Sequence, residues 1–213
     1  MDIRGGTPDD WIVCGWFTDD PVYKAFAEQL AASLDRVGAP HDLACVQGDA
    51  RGWEANTLQK PAHMLAAIDR HPGRTIIFMD VDFTATGDLS WLAYGYARAD
   101  ISLQIRVRRQ RSGSTQLNVS SQVIVLRPTP LAREFVASWC QNSRASRVYG
   151  DTDEATLKLT LGTLGGWTIT RLDQHRLYAC LTHHKANLRG RRILGPIREM
   201  VNLLRPAWLA PAS

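Results

Sequence analysis

Residues 75–83 read T-I-I-F-M-D-V-D-F, four apolar residues in a row and then two carboxylates with one apolar residue between them. Ile76, Ile77, Phe78 and Met79 carry the pattern of a strand buried on both faces, as in a parallel sheet. An unpaired buried carboxylate is costly. A strand of this kind therefore does not run into Asp80 and Asp82 unless those charges have a use.

The chain before this strand fits a parallel sheet. WIVCGWF (11–17) reads as a strand, and Asp20-Pro21 as a helix start, an N-cap oxygen followed by proline at the first helical position. Val22, Phe26, Leu30, Leu34 and Val37 then recur at helical spacing up to Gly38. DLACVQ (42–47) is a second strand, and 61–70 a helix closed by His71-Pro72-Gly73. The order is βαβαβ, which points to parallel strands with crossover helices. Further on, 88–99 reads as a short helix, 101–107 and 120–126 as strands, and 130–141 and 152–161 as helices. Strands are expected again at 167–172 and 177–182, before a basic tail and an amphipathic end. The expectation is one α/β domain over 1–213, with a mostly parallel central sheet flanked by helices. Residues 1–100 would form a nucleotide-binding half and 101–213 an acceptor-side half.

Composition narrows the function classes. Apolar content is 45% and charged content 22%, as in an ordinary globular protein. The formal charge of +4 is too mild to argue for nucleic acid. No aromatic stripe interleaves with the arginines, so single-strand binding has no support. Cys14, Cys45, Cys140 and Cys180 are scattered without a CxxC pair, and they read as reduced thiols of a cytoplasmic protein. No apolar leader is visible at the start, and no run of about 18 apolar residues exists to span a membrane.

In open α/β sheets, ligands bind outside the carboxyl ends of strands, which is where Asp80 and Asp82 fall. Two carboxylates two residues apart on an extended chain project to the same side. Oxygen ligands of this kind suit Mg2+ or Mn2+. Two enzyme classes use the pattern. The haloacid-dehalogenase-like phosphatases have D-x-D-x-T after an apolar strand. Asp80-Val81-Asp82-Phe83-Thr84 matches that spacing, and Gly150-Asp151-Thr152-Asp153 looks like their later acidic motif. That family needs a lysine between the two motifs, and none stands between Lys60 and Lys158.

The other class is matched along most of the chain. FTDDPVYKAFAEQLAASL is similar to a nucleotide-binding turn, and GWEANTLQKPAHMLAAI resembles a W-x-x-N-x-x-x-K-P segment ahead of the D-x-D strand. LNVSSQVIVLRPTPLAREFVASW looks like a strand and a helix ending in tryptophan. DTDEATLKLTL resembles an acidic helix start, and CLTHHKANLRGRR a late H-x-x-(A/S)-(N/S)-x-R segment. In this order the pieces resemble the GT-A-fold glycosyltransferases, and among them bacterial nucleotide-diphospho-sugar transferases.

The resemblance implies a GT-A-like fold and transfer of a hexosyl group from a nucleotide-diphosphate sugar, with UDP favoured, to an acceptor hydroxyl. The acceptor would be a glycan, a lipid or a small molecule. It implies Asp80, Asp82 and His183 (or its neighbour His184) around Mn2+ or Mg2+, with Asp80 also touching the ribose. Thr18 and Tyr23 would line the base pocket, and Lys60, Lys185 and Arg189 would meet the diphosphate or the sugar. Asp153 and Glu154 are the carboxylates for a general base, although acidic residues also suit the start of a helix for dipole reasons alone. Asn118, Ser120 and Gln122 alternate along one strand face and are candidates for sugar hydroxyls. Trp53 reads as a loop anchor. The arginines at 106–111 and 189–192 read by default as a solvated face. The sharper reading of the basic tail is a peripheral contact with an anionic acceptor or membrane surface. A phosphatase and a non-catalytic nucleotide-sugar binding module are the alternatives to a transferase.

Overall fold

A computed structural model describes residues 1–6, 10–109, 113–146, 151–163 and 165–184. The chain divides into a unit Met1–Thr182 and a unit His183–Ser213. Lys185, Arg189 and the basic and amphipathic tail lie outside the described residues.

The first unit opens with β1 (Ile3–Gly5), β2 (Trp11–Thr18), α1 (Pro21–Arg36) and β3 (His41–Val46). Next come α2 (Trp53–Thr57), α3 (Lys60–Arg70), β4 (Thr75–Met79), β5 (Phe83–Ala85) and α4 (Ser90–Tyr94). The remainder is β6 (Ile101–Arg109), β7 (Thr115–Leu126), α5 (Pro130–Ala145), α6 (Asp153–Leu161), β8 (Ile169–Arg171), α7 (Gln174–Cys180) and β9 (Leu181–His183). Seven strands form one sheet in the order β1-β3-β2-β4-β7-β6-β8, and β5 with β9 forms a two-stranded one. The βαβαβ expectation is met at the centre, where β3, β2 and β4 run parallel. β7 is antiparallel to both β4 and β6, β1 is antiparallel to β3, and β6–β8 is parallel.

Helices cover both faces of this sheet, as two apolar clusters record. Val13, Phe17, Ile77, Met79, Val123 and Val125 pack with Leu30 and Leu34 of α1. Ile12, Cys14, Ile76, Phe78, Ile124 and Leu126 pack with Met64 of α3 and with Phe135 and Trp139 of α5. Successive residues of β4 thus enter opposite clusters, which is why its sequence is apolar without alternation. The Asp20 carboxylate accepts from Val22 N at 2.8 Å, so the N-cap read from the sequence is made. Gly15 on β2 permits a close approach, since a Cβ there would lie 2.9 Å from the Met79 carbonyl oxygen.

Three expectations need correction. The strand expected at 177–182 is mostly the helix α7, because Asp173 caps its start by accepting from His175 N and Arg176 N. The helix expected at 88–99 is only Ser90–Tyr94. The third concerns β7, whose pairing with β6 jumps between Leu103↔Ile124 and Gln104↔Ser120. Residues 121–123 are therefore extra on β7, a bulge that re-phases the strand. Val119 and Ile124 sit in the same apolar cluster, although an unbroken strand would put them on opposite faces. Asn118 and Ser120 therefore keep the expected alternation, and its continuation to Gln122 is interrupted by the bulge.

Candidate active site

β4 ends at Met79, and Asp80 leaves its carboxyl end with its amide donating to the Gln122 carbonyl at 2.9 Å. That carbonyl belongs to the β7 bulge, so the irregularity in β7 fixes how the D-x-D segment departs from the sheet. Asp82 follows in a turn and is 4% exposed, while the Asp80 side chain keeps 27% of its surface open.

The charge that meets Asp80 comes from α3. Lys60 is the first residue of that helix, followed by Pro61, and its side chain is buried. Lys60 Nζ lies 2.8 Å from Asp80 Oδ1 and 2.6 Å from Asp153 Oδ2. The Ser121 hydroxyl donates to Asp153 Oδ2 at 2.5 Å and accepts from Lys60 Nζ at 3.1 Å. Trp139 Nε1 on α5 donates to the Asp153 carbonyl at 3.2 Å and to Thr156 Oγ1 at 3.0 Å, which locks the first turn of α6 in place. Three separate parts of the chain, the end of β4, the β7 bulge and the start of α6, thus converge on one ammonium.

Burial alone would lower the Lys60 pKa, but the Asp80 and Asp153 carboxylates outweigh it and hold the ammonium above its ordinary value. Burial pushes the Asp80 carboxyl up to about 6; Lys60 opposes that rise, and the charges of Asp82 and Asp153 reinforce it. Asp80 and Asp153 share one ammonium, and the nearby charge of Asp82 acts on Asp80, so the carboxylates outnumber the cation. Such a site favours a further cation beside Asp80 and Asp82. Oxygen donors of this kind fit a hard divalent ion that completes its shell with phosphate oxygens and water. Among the described residues, no three His, Cys, Asp or Glu side chains gather closely enough to hold a metal by themselves.

The remaining sequence candidates distribute as follows. Thr18 ends β2, 8% exposed, on the same sheet edge as Asp80. Tyr23 is half-buried and packs against the α1 side of the core. Glu154 stands half-buried in the first turn of α6. His183 ends β9 and is half-buried. Trp53, read from the sequence as the loop anchor, is 53% exposed. Its neighbour Asn56 does the anchoring, accepting from Asp49 N at 2.8 Å and donating to the Gly52 carbonyl at 2.9 Å. Ser121 and Trp139 also belong to the site. Trp139 sits in a segment the sequence singles out, whereas Ser121 gives no signal without knowledge of the bulge.

No family model matches the chain, and no curated protein matches it. Solved structures do. A glycosyltransferase involved in the glycosylation of the major capsid of PBCV-1 is similar at 8% identity and a TM-score of 0.56, over 81% of this chain and 94% of that one. The glycosyltransferase GlyE of Streptococcus pneumoniae TIGR4 is similar at 13% identity and a TM-score of 0.53. That match covers 78% of this chain and 46% of GlyE, so the chain spans about half of GlyE's length. The fold is therefore the GT-A-like fold of glycosyltransferases.

Proposed function

We propose, from a fold shared with glycosyltransferases, that the chain transfers a hexosyl group from a UDP-sugar to an acceptor hydroxyl. The observation that carries this reading is the carboxylate cluster at the carboxyl end of β4, where open α/β sheets bind their ligands. In it, Asp80 and Asp82 would hold Mn2+ or Mg2+ together with the donor diphosphate. A bound ion of that kind supplies positive charge for the departing nucleoside diphosphate. Lys60 keeps Asp80 oriented rather than touching the donor, since its ammonium is already engaged by two carboxylates. Asp153 is engaged by the same ammonium and by Ser121, which supports a positioning role for it and leaves Glu154 as the general base. Thr18 lies where a base or ribose would reach the edge of β2.

The Lys60–Asp80 contact also provides, from outside the expected sequence order, the lysine that the D-x-D-x-T phosphatase reading lacked. One experiment separates the two. Thermal shifts are measured with UDP and GDP, each with and without Mn2+, for the native chain and Asp82→Ala, beside hydrolysis of p-nitrophenyl phosphate. A rise in Tm that needs UDP plus Mn2+ and disappears in the variant supports the transferase. No nucleotide effect together with phosphate-ester turnover would overturn it.

A further inference from the structure

The β6–β7 hairpin carries a surface that the candidate site does not use. Its ladder sets Ile105 opposite Val119, Arg106 opposite Asn118 and Val107 opposite Leu117. Residues directly opposite one another share a face, and successive pairs alternate between faces. Ile105 and Val119 turn inward to the apolar cluster that holds Phe135 and Trp139. Val107 and Leu117 continue the same face beyond the end of the core, 60% and 54% exposed. Arg106 is exposed on the other face, where its guanidinium donates to the Tyr178 hydroxyl at 2.8 Å. The ladder between β4 and β7 ends at Met79↔Val123, and β7 from Ser120 back to Thr115 runs on past the carboxyl end of β4. The hairpin therefore projects from the sheet edge that carries Asp80.

Charge decides what can cover this surface. Between Asp100 and Glu134 the sequence has no acidic residue, while β6 carries Arg106, Arg108 and Arg109. A second copy of the chain would bring like charges together over a small apolar contact, far short of what a stable dimer buries. A nucleic acid would meet the arginines but would leave Val107 and Leu117 without an apolar partner, and β6 and β7 contain no aromatic residue for base stacking. An anionic bilayer answers both features. Its headgroups offset the guanidinium charge, and its interfacial region takes up the apolar pair.

We propose that the outer half of the β6–β7 hairpin docks on an anionic phospholipid surface, with Val107 and Leu117 entering the interfacial region and the arginines of β6 meeting the headgroups. One apolar pair with a few charges gives reversible attachment, not permanent insertion. The contact stands apart from the chemistry at Asp80 and needs no nucleotide.

The test is co-sedimentation of the full chain with vesicles of equimolar phosphatidylcholine and phosphatidylserine, against phosphatidylcholine alone, at constant ionic strength. Binding is expected to the anionic vesicles and to fall with added salt. The double variant Arg108→Gln, Arg109→Gln should weaken it at least about tenfold, and Val107→Ser, Leu117→Ser about fivefold or more, both with native circular dichroism. Asp82→Ala should bind as the native chain does. No partition into anionic vesicles, or native binding by both hairpin variants, would overturn the proposal. So would loss in Arg191→Gln, Arg192→Gln with none in the hairpin variants, which assigns the contact to the basic tail. Binding of a DNA duplex as tightly as of the vesicles, indifferent to Val107→Ser, Leu117→Ser, would overturn it in favour of nucleic acid.

Discussion

The Lys60 ammonium lies 2.6 Å from Asp153 Oδ2, so a single buried ion pair joins the start of α3 to the start of α6. The same ammonium reaches Asp80 at 2.8 Å and ties both helices to the end of β4. Stability and the proposed chemistry therefore share one charge.

Replacing Lys60 by Met leaves Asp80 and Asp153 without their cation. Removal of one partner from a buried pair costs roughly 3–5 kcal/mol, and urea unfolding should show a loss of that order. The double variant Lys60→Met, Asp153→Asn should lose less than the sum of the two single changes, because the carboxylate no longer lacks a partner. A loss in Lys60→Met below roughly 1 kcal/mol, the scale of an exposed pair, would mean that the pair is solvated and does not hold the site.

Glu154 and Asp153 should separate in kinetics. With Glu154 as base, Glu154→Gln lowers kcat by about 10²–10⁴-fold and leaves KM nearly unchanged. Asp153→Asn should instead lower Tm and change kcat and KM together. Sugar-transfer assays with UDP-glucose and UDP-galactose read both. A Glu154→Gln variant with full kcat would return the base role to another group.

Gly15→Ala places a methyl group 2.9 Å from the Met79 carbonyl, a backbone atom that cannot swing aside. Overpacking of this kind costs about 1–3 kcal/mol. The strain falls one residue before Asp80, so nucleotide binding with Mn2+ should weaken along with Tm. A Tm within a degree of the native value would show that β2 and β4 separate without penalty.

Acid stability should depend on Asp42, which is 1% exposed and accepts from Arg4, Arg70 and His71. Burial acts to raise its pKa, but hydrogen bonds from His71 and Arg70 hold the carboxyl below its usual value of 3.8. A depressed folded-state pKa contributes stability that is present above the unfolded value and is lost as pH falls through the folded one. The native chain should therefore lose stability below about pH 4. Asp42→Asn should be less stable at pH 7 and should flatten that acidic limb. Identical acid limbs in denaturation curves from pH 2 to 7 would assign the acid sensitivity to other groups.

The sequence made legible whatever depends on local pattern. The apolar run of β4, the Asp20 cap with Pro21, and the D-x-D at the end of a strand need only neighbouring residues to be read. Lys60, Asp80 and Asp153 were each visible as chemistry, but their meeting depends on long-range packing. Residues 177–182 misled because Leu177, Cys180 and Leu181 form an apolar run whose helical state is decided upstream, at Asp173. Ser121 was hidden for a different reason. Its route to Asp153 depends on a slip in strand pairing, which has no signature in one strand's own residues.

The slip in β7 also divides labour along that strand. The half from Ile124 to Leu126 is laddered to β4 and to the root of β6, while Thr115 to Ser120 is laddered to β6 from Gln104 to Arg109. The outer hairpin stands away from the core, with Val107 and Leu117 facing each other and both more than half exposed. Residues 121–123 have no partner on β6, and there β7 passes from its ladder with the outer part of β6 to its ladder with β4, which begins at Val123. The reach of the hairpin is thereby set by β6 and the outer half of β7, while the departure of Asp80 from the sheet is set by the Gln122 carbonyl.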